Sequence, residues 1–358
     1  MQQKPTARDV VDTAAEAELL PLPPLLVLEA LEAYLDALGV GSGGVVATRI
    51  GAGNSNATFL VERDGARLVL RRPPRPPLPP SAHDMLREAR VQRALAAVGA
   101  PVPHVAAVCE DESVLGVPFY LMDWLDGQIL GEALPGDLDA RDVGDAVVGA
   151  LARVHAVDWR AAGLEGFGRP DGYLARQLRR WVGLWEVNAT RELPEVAELG
   201  DRLADRVPES PSATVVHGDY RLGNVMLAPD APARVLAVLD WELSTIGDPL
   251  ADLGYLVATW SDGSSPATAL ELSPATRAAG FPTRAELAGR YAELTGRALD
   301  ALPWYEALAL WKSAVFCEAL YGRYLRGERD DEWAASLAEG VPTLLAVASE
   351  RLRAAPRR

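Results

Sequence analysis

The chain has 358 residues, with 35 Lys+Arg against 50 Asp+Glu for a formal net charge of −15. That length exceeds what a single core usually holds, so two lobes are expected, and the charge repels phosphate backbones, which argues against a nucleic-acid partner. No uncharged run reaches the roughly 18 residues of a membrane helix, no signal-peptide pattern opens the chain, and the distant Cys109 and Cys317 form neither a disulfide framework nor a zinc motif, so a cytoplasmic protein without a membrane partner is expected.

In chain order, Leu25, Leu28, Leu31, Leu35 and Leu38 recur at helical spacing and predict a helix ending before Gly39. Val45–Ile50, Thr58–Val61 and Arg67–Arg71 read as three strands, the first two joined by a Gly/Asn/Ser turn. Pro73–Pro80 can only be a loop. Ser81 with Asp84 three residues on resembles a helix cap, and the helix it opens should end near Val98, before Gly99 and Pro101. Val105–Val108 and Pro118–Met122 read as two more strands. Beyond Trp124 helical patterns dominate, at Val143–Val157, Gly172–Asn188, Arg284–Leu294, Leu302–Leu325 and Trp333–Arg353, with one β-like island from Thr214 to Asp240. The expected organisation is α+β: a helical extension over 1–40, a small β-rich N-lobe over 41–123 and a larger, mainly helical C-lobe over 124–358. The aromatic series Trp304, Trp311, Phe316, Tyr321 and Tyr324 reads as core of the large lobe, part of which could wall an acceptor pocket.

The densest chemical signal is His217-Gly218-Asp219-Tyr220-Arg221-Leu222-Gly223-Asn224, followed after a turn by the apolar run Val235–Leu239 and then Asp240. A carboxylate ending an apolar strand is costly unless it is solvated, hydrogen-bonded or metal-bound. Asp219, Asn224 and Asp240 offer hard oxygens suited to Mg²⁺. An Asp, an Asn five residues later and an Asp at a strand end, in that order, match the arrangement of kinases, where the first Asp aligns the acceptor hydroxyl and the other two hold metal. Taken singly, each of the three also reads as a turn or strand-end residue. Lysine occurs only at Lys4 and Lys312, so a Gly-Lys-Ser/Thr phosphate loop does not exist in this chain. The four histidines lack ligand spacing; His217 reads as a structural hydrogen-bonding residue, His155 as helix-core packing, and Asp248 and Asp252 as structural.

The stretch His217–Asn224 with Asp240 resembles the aminoglycoside phosphotransferase/choline kinase-like superfamily. Ser81-Ala82-His83-Asp84 with Arg87-Glu88, and Asp240-Trp241-Glu242-Leu243 through Gly247–Leu253, are similar to the branch containing the kinase-like domain fused to acyl-CoA dehydrogenases and its free-standing bacterial relatives. The resemblance implies a bilobal protein-kinase-like fold and an ATP- and Mg²⁺-dependent phosphotransferase acting on a hydroxyl of a small molecule, with no protein partner identified. It implies Asp219 as catalytic base and Arg221 beside the transferred phosphate, with Asn224 and Asp240 as metal ligands. Gly51, Gly53, Asn54, Ser55 and Asn56 become a flap over the nucleotide phosphates, which by themselves read as a hairpin turn. The kinase lysine is absent; Arg71 takes its place with Glu88 as partner, chosen over Arg72 because strand alternation puts Arg71 on the face of Val69. The Met122-Asp123-Trp124-Leu125 backbone is expected at the adenine. Trp241-Glu242 stands where protein kinases carry Phe-Gly, and no Ala-Pro-Glu follows, which disfavours a protein substrate. A hydroxyacyl-CoA or related hydroxy acid is the expected acceptor; an aminoglycoside, or a nucleotide-binding pseudokinase regulating a partner, are the alternatives.

Overall fold

The computed structural model describes residues 8–51, 56–76, 83–210, 212–263 and 267–356. Gly53, Asn54 and Ser55 of the expected flap, and Ser81 of the expected cap, lie outside the described residues. The chain divides into two units: the described part of Met1–Ala97 with Val102–Asp126, and Val98–Pro101 with the described part of Gly127–Arg358.

The first unit carries, in order, β1 (Val10–Val11), α1 (Ala14–Glu18), β2 (Leu26–Val27), α2 (Leu28–Leu38), β3 (Ser42–Ile50), β4 (Ala57–Asp64), β5 (Ala66–Arg72), α3 (Met85–Ala97), β6 (Val105–Cys109), α4 (Glu112–Leu115) and β7 (Phe119–Asp123). Five strands form an antiparallel sheet in the order β3-β4-β5-β7-β6. Strand alternation sorts β5 between two cores. Leu68 and Leu70 pack with Leu31, Leu35, Phe59 and Phe119, whereas Val69 packs with Met85 and Ala89 of α3, with Tyr120 and with Met122. The helix α3 starts at Asp84, whose Oδ1 accepts from Arg87 N at 2.9 Å, so Asp84 itself caps it. The helix α4, capped by Asp111, is too short to leave a periodic signature in the sequence.

The second unit contains β8 (Gln128–Ile129), α5 (Ala140–His155), α6 (Tyr173–Asn188), α7 (Pro194–Ala204), β9 (Thr214–Val216), β10 (Val225–Leu227), β11 (Val235–Val238), β12 (Thr245–Gly247), α8 (Leu250–Thr259), α9 (Arg284–Thr295), α10 (Leu302–Leu325) and α11 (Glu332–Ala354). The helix α10 is central and packs on α6, α7, α8 and α11. Its fit on α8 requires Gly254, where a Cβ would meet the backbone of Tyr305 at 2.7 Å. Two indoles fix α7: Trp304 Nε1 donates to Leu203 O at 3.1 Å and Trp311 Nε1 to Val196 O at 2.9 Å. Both tryptophans are buried, but Phe316 is 54% exposed and Tyr321 and Tyr324 are only partly covered. The expectation of a continuous aromatic core along α10 therefore holds for its first half alone. Among the described residues no helix is long and apolar enough to cross a membrane.

Candidate functional site

The loop His217–Asn224 leaves β9 and enters β10, and β10 pairs antiparallel with β11 in the register Val225↔Val238. Asn224 and Asp240 thus flank the same end of one hairpin, and Leu239 N donates to Asn224 O at 2.8 Å. Asn224 is buried, and its Nδ2 donates to both the carboxylate and the carbonyl of Asp219, at 2.8 and 2.9 Å. With the amide N–H groups committed to Asp219, its Oδ1 is the atom left to act as a ligand. Asp240 has φ +65 and ψ +68, a left-handed conformation costly for a residue with a side chain and concentrated at functional sites.

The loop is braced from below by Asp252 of α8. This buried carboxylate accepts from His217 N at 2.7 Å, Gly218 N at 2.8 Å and His155 Nε2 at 3.2 Å. Burial pushes its pKa up, but the hydrogen bond from His155 and the His217 N–H outweigh it and hold the carboxyl below its usual value. His217 is fully buried. Its Nδ1 accepts from Asp219 N at 3.2 Å while its Nε2 faces Leu239 O at 2.8 Å. A carbonyl can only accept and an amide N–H only donate, so the ring is neutral with its proton on Nε2. His217 therefore ties the loop to the residue before Asp240, in keeping with a structural role. His155 is more than packing: its Nδ1 also meets Tyr291 Oη at 2.7 Å. Gly218 has φ +88, and a Cβ there would strike Leu243 O at 2.7 Å, which leaves glycine as the residue that fits between His217 and Asp219. Asp248 accepts from Leu250 N at 2.9 Å and from Tyr305 Oη at 2.7 Å, joining the start of α8 to α10.

Around Asp219 lie two further groups. Arg221 Nε sits 3.6 Å from Asp219 Oδ2. Tyr255, which no sequence motif singled out, adjoins Asp219; burial and that carboxylate push the phenol well above its ordinary pKa. Tyr255 lies three residues after Asp252 on α8, so one helix face carries both the brace and this contact. Among the described residues no three His, Cys, Asp or Glu side chains converge on a metal position. Asn224 Oδ1 and the Asp240 carboxylate are instead a sparse set of hard oxygens, the kind that fits Mg²⁺ completed by phosphate and water.

In the first unit, Arg71 Nε lies 3.0 Å from Glu88 Oε1, with Glu88 fully buried. Arg72, on the opposite face, is buried and donates to the carbonyls of Leu25 and Leu115; it clamps the N-terminal segment. Tyr120 adjoins the Arg71–Glu88 pair, its phenol pushed well up by burial and by Glu88, and it accepts from Gln92 Nε2 at 2.8 Å. Of the flap residues, Gly51 has φ +79 and Asn56 is buried, its Oδ1 2.8 Å from His83 Nδ1. Burial and Arg71 lower the His83 pKa. In the segment expected at the adenine, the β5–β7 ladder runs through Val69↔Met122 to Leu68↔Asp123. Beyond it Trp124 Nε1 donates to Asp126 at 2.7 Å and Leu125 is partly covered.

The chain resembles known proteins in sequence and fold. Residues 46–290 match the model of the phosphotransferase enzyme family. The chain is 37% identical over 307 residues to acyl-CoA dehydrogenase family member 10 of Mus musculus, covering 84% of this chain and 29% of that protein, so it spans under a third of that relative's length. It is 28% identical over 244 residues to thiamine kinase of Escherichia coli, covering 66% of this chain and 74% of that enzyme. A crystal structure from Ralstonia eutropha, provisionally described as an aminoglycoside phosphotransferase, is 31% identical with a TM-score of 0.77, covering 92% of this chain and 99% of that one. The chain has a protein-kinase-like fold and belongs to the phosphotransferase enzyme family.

Proposed function

We propose that the protein transfers the γ-phosphoryl group of ATP to a hydroxyl of a small acyl compound, a hydroxyacyl-CoA or a related hydroxy acid. The observation that carries the phosphotransfer is the hydrogen-bonded pair Asp219–Asn224 at the hairpin end that also presents Asp240 in its left-handed conformation. Asp219 orients the acceptor hydroxyl and takes its proton, with Tyr255 and Asn224 fixing the carboxylate's rotamer. Asn224 and Asp240 hold Mg²⁺, which when bound neutralises charge developing on the phosphates. Arg221 adds positive charge beside Asp219. Arg71, oriented by Glu88, grips nucleotide phosphates in place of the usual lysine, under a flap formed by Gly51–Asn56, and the Met122–Leu125 backbone receives the adenine. The two structural units then serve as an N-lobe over 41–123, preceded by a helical extension, and a C-lobe from 124 onward. The likeness to an acyl-CoA dehydrogenase family member supports an acyl acceptor.

The test is Mg·ATP-dependent ADP release across hydroxyacyl-CoAs, free hydroxy acids, amino alcohols and aminoglycosides. Release with the acyl compounds, lost in Asp240→Ala, is expected. Release with aminoglycosides alone would replace the acceptor, and saturable nucleotide binding without release on any acceptor would make the protein a pseudokinase.

A further inference from the structure

Lys312 is the one lysine besides Lys4 in a chain whose other 33 basic residues are arginines. It projects from α10 into a cavity of about 20 Å³ that adjoins the catalytic loop, lined also by Gln177, Gly218 and Tyr255. Its ammonium lies 5.2 Å from the centre of the Trp181 ring. Among the described residues it forms no ion pair. The two carboxylates whose fields reach it are Asp252 and Asp219, with Arg180 opposing them. Neither acid pairs with it: Asp252 accepts from His217, Gly218 and His155, and Asp219 Oδ2 faces Asn224 and Arg221. A largely covered ammonium without a contacting anion is unfavourable by itself, and burial brings its pKa down to about 8. The cavity has room for about one water-sized group. Arg180, exposed on α6, adds a second positive charge in a protein of strongly negative net charge.

From this geometry we infer that Lys312 is the anion anchor of the acceptor site: it holds a carboxylate or phosphate of the acceptor near Asp219 and so sets the enzyme's preference for anionic over cationic hydroxyl compounds. The inference rests on the kinase reading and narrows its substrate class. Gln177 adds a neutral donor on the same wall, and the Trp181 ring faces the ammonium. A cationic amino sugar would meet Lys312 and Arg180 as like charges.

Lysine acetylation of the full chain tests this without any turnover, because a lysine of lowered pKa reacts readily near pH 8 and Lys4 is an internal reference. The protein is treated with N-acetoxysuccinimide in the presence of Mg·ADP, and peptide mass spectrometry follows Lys312 and Lys4 separately. A 4-hydroxycarboxylate or its CoA thioester at some ten times its Kd should slow acetylation of Lys312 by about tenfold and leave Lys4 unchanged. Protection by the free acid identifies a carboxylate as the bound anion; protection by the thioester alone identifies a phosphate. Equal protection by the neutral 4-hydroxyamide, or none by either anion, overturns the inference and leaves the kinase reading to the ADP-release test. Lys312→Met, which keeps the stem apolar, should raise KM for the anionic acceptor by about 10- to 100-fold with KM for ATP unchanged, and Lys312→Arg should recover part of the loss. An equal rise in both KM values would mean a merely structural lysine.

Discussion

Asp219→Asn is expected to lower kcat by about 10²–10⁴-fold while nucleotide affinity stays near that of the unaltered enzyme. Asparagine has the size of aspartate and can still accept from Asn224 Nδ2, which lies 2.8 Å from the carboxylate, so the loop should keep its shape. What disappears is the negative charge that the proposed mechanism uses to align and deprotonate the hydroxyl. Tyr255 and Arg221 would remain in place beside a neutral amide. Single-turnover kinetics with saturating Mg·ATP isolate the chemical step. A rate within a few-fold of the original would remove Asp219 from its assigned role.

Asp252→Ala should cost about 3–5 kcal/mol of stability, read as a shifted urea midpoint. The substitution leaves the N–H groups of His217 and Gly218 and the Nε2 of His155 without their acceptor in a closed interior. Because the folded-state pKa of Asp252 lies below the ordinary aspartate value, the stabilisation is complete above that ordinary value and fades as the pH falls through the folded one. The stability gap between the unaltered protein and Asp252→Ala should therefore be full at neutral pH and shrink in acid. A loss under about 1 kcal/mol at neutral pH, or a gap that widens in acid, would show that the loop does not depend on this brace.

The sequence spacing was most informative where the chemistry is local. His217–Asn224 and Asp240 stand out because order and spacing are set by one hairpin, and the choice of Arg71 over Arg72 follows from the two-residue period of β5, which sends one guanidinium to Glu88 and the other to Leu25 O. The helix α10 is delimited at Leu302 and Leu325 because its apolar period is long and uninterrupted. What escaped is what tertiary packing decides. The helix α7 has a short apolar stripe, Val196, Leu199 and Leu203, that is recognisable only once Trp304 and Trp311 are seen against it. Tyr255 and Lys312 come from different helices, α8 and α10, and meet the loop only in the folded unit. Nothing in their sequence neighbourhoods marks them. Phe316, read as core, is exposed while Val315 and Cys317 beside it are buried, so it lies on the outward face of α10; an aromatic residue in an apolar helix does not by itself say which face it takes.

The most direct measurement is the fate of a labelled γ-phosphoryl group. ATP labelled at the γ position is incubated with Mg²⁺, the full chain and a 4-hydroxyacyl-CoA or its free acid, and the products are separated. The label is expected on the acceptor hydroxyl, in step with ADP, and absent from it when Asp219→Asn replaces the enzyme. Label found only in unreacted ATP or as inorganic phosphate, across all the acceptor classes named above, would contradict the assignment of Asp219, Asn224 and Asp240 as a phosphotransfer site.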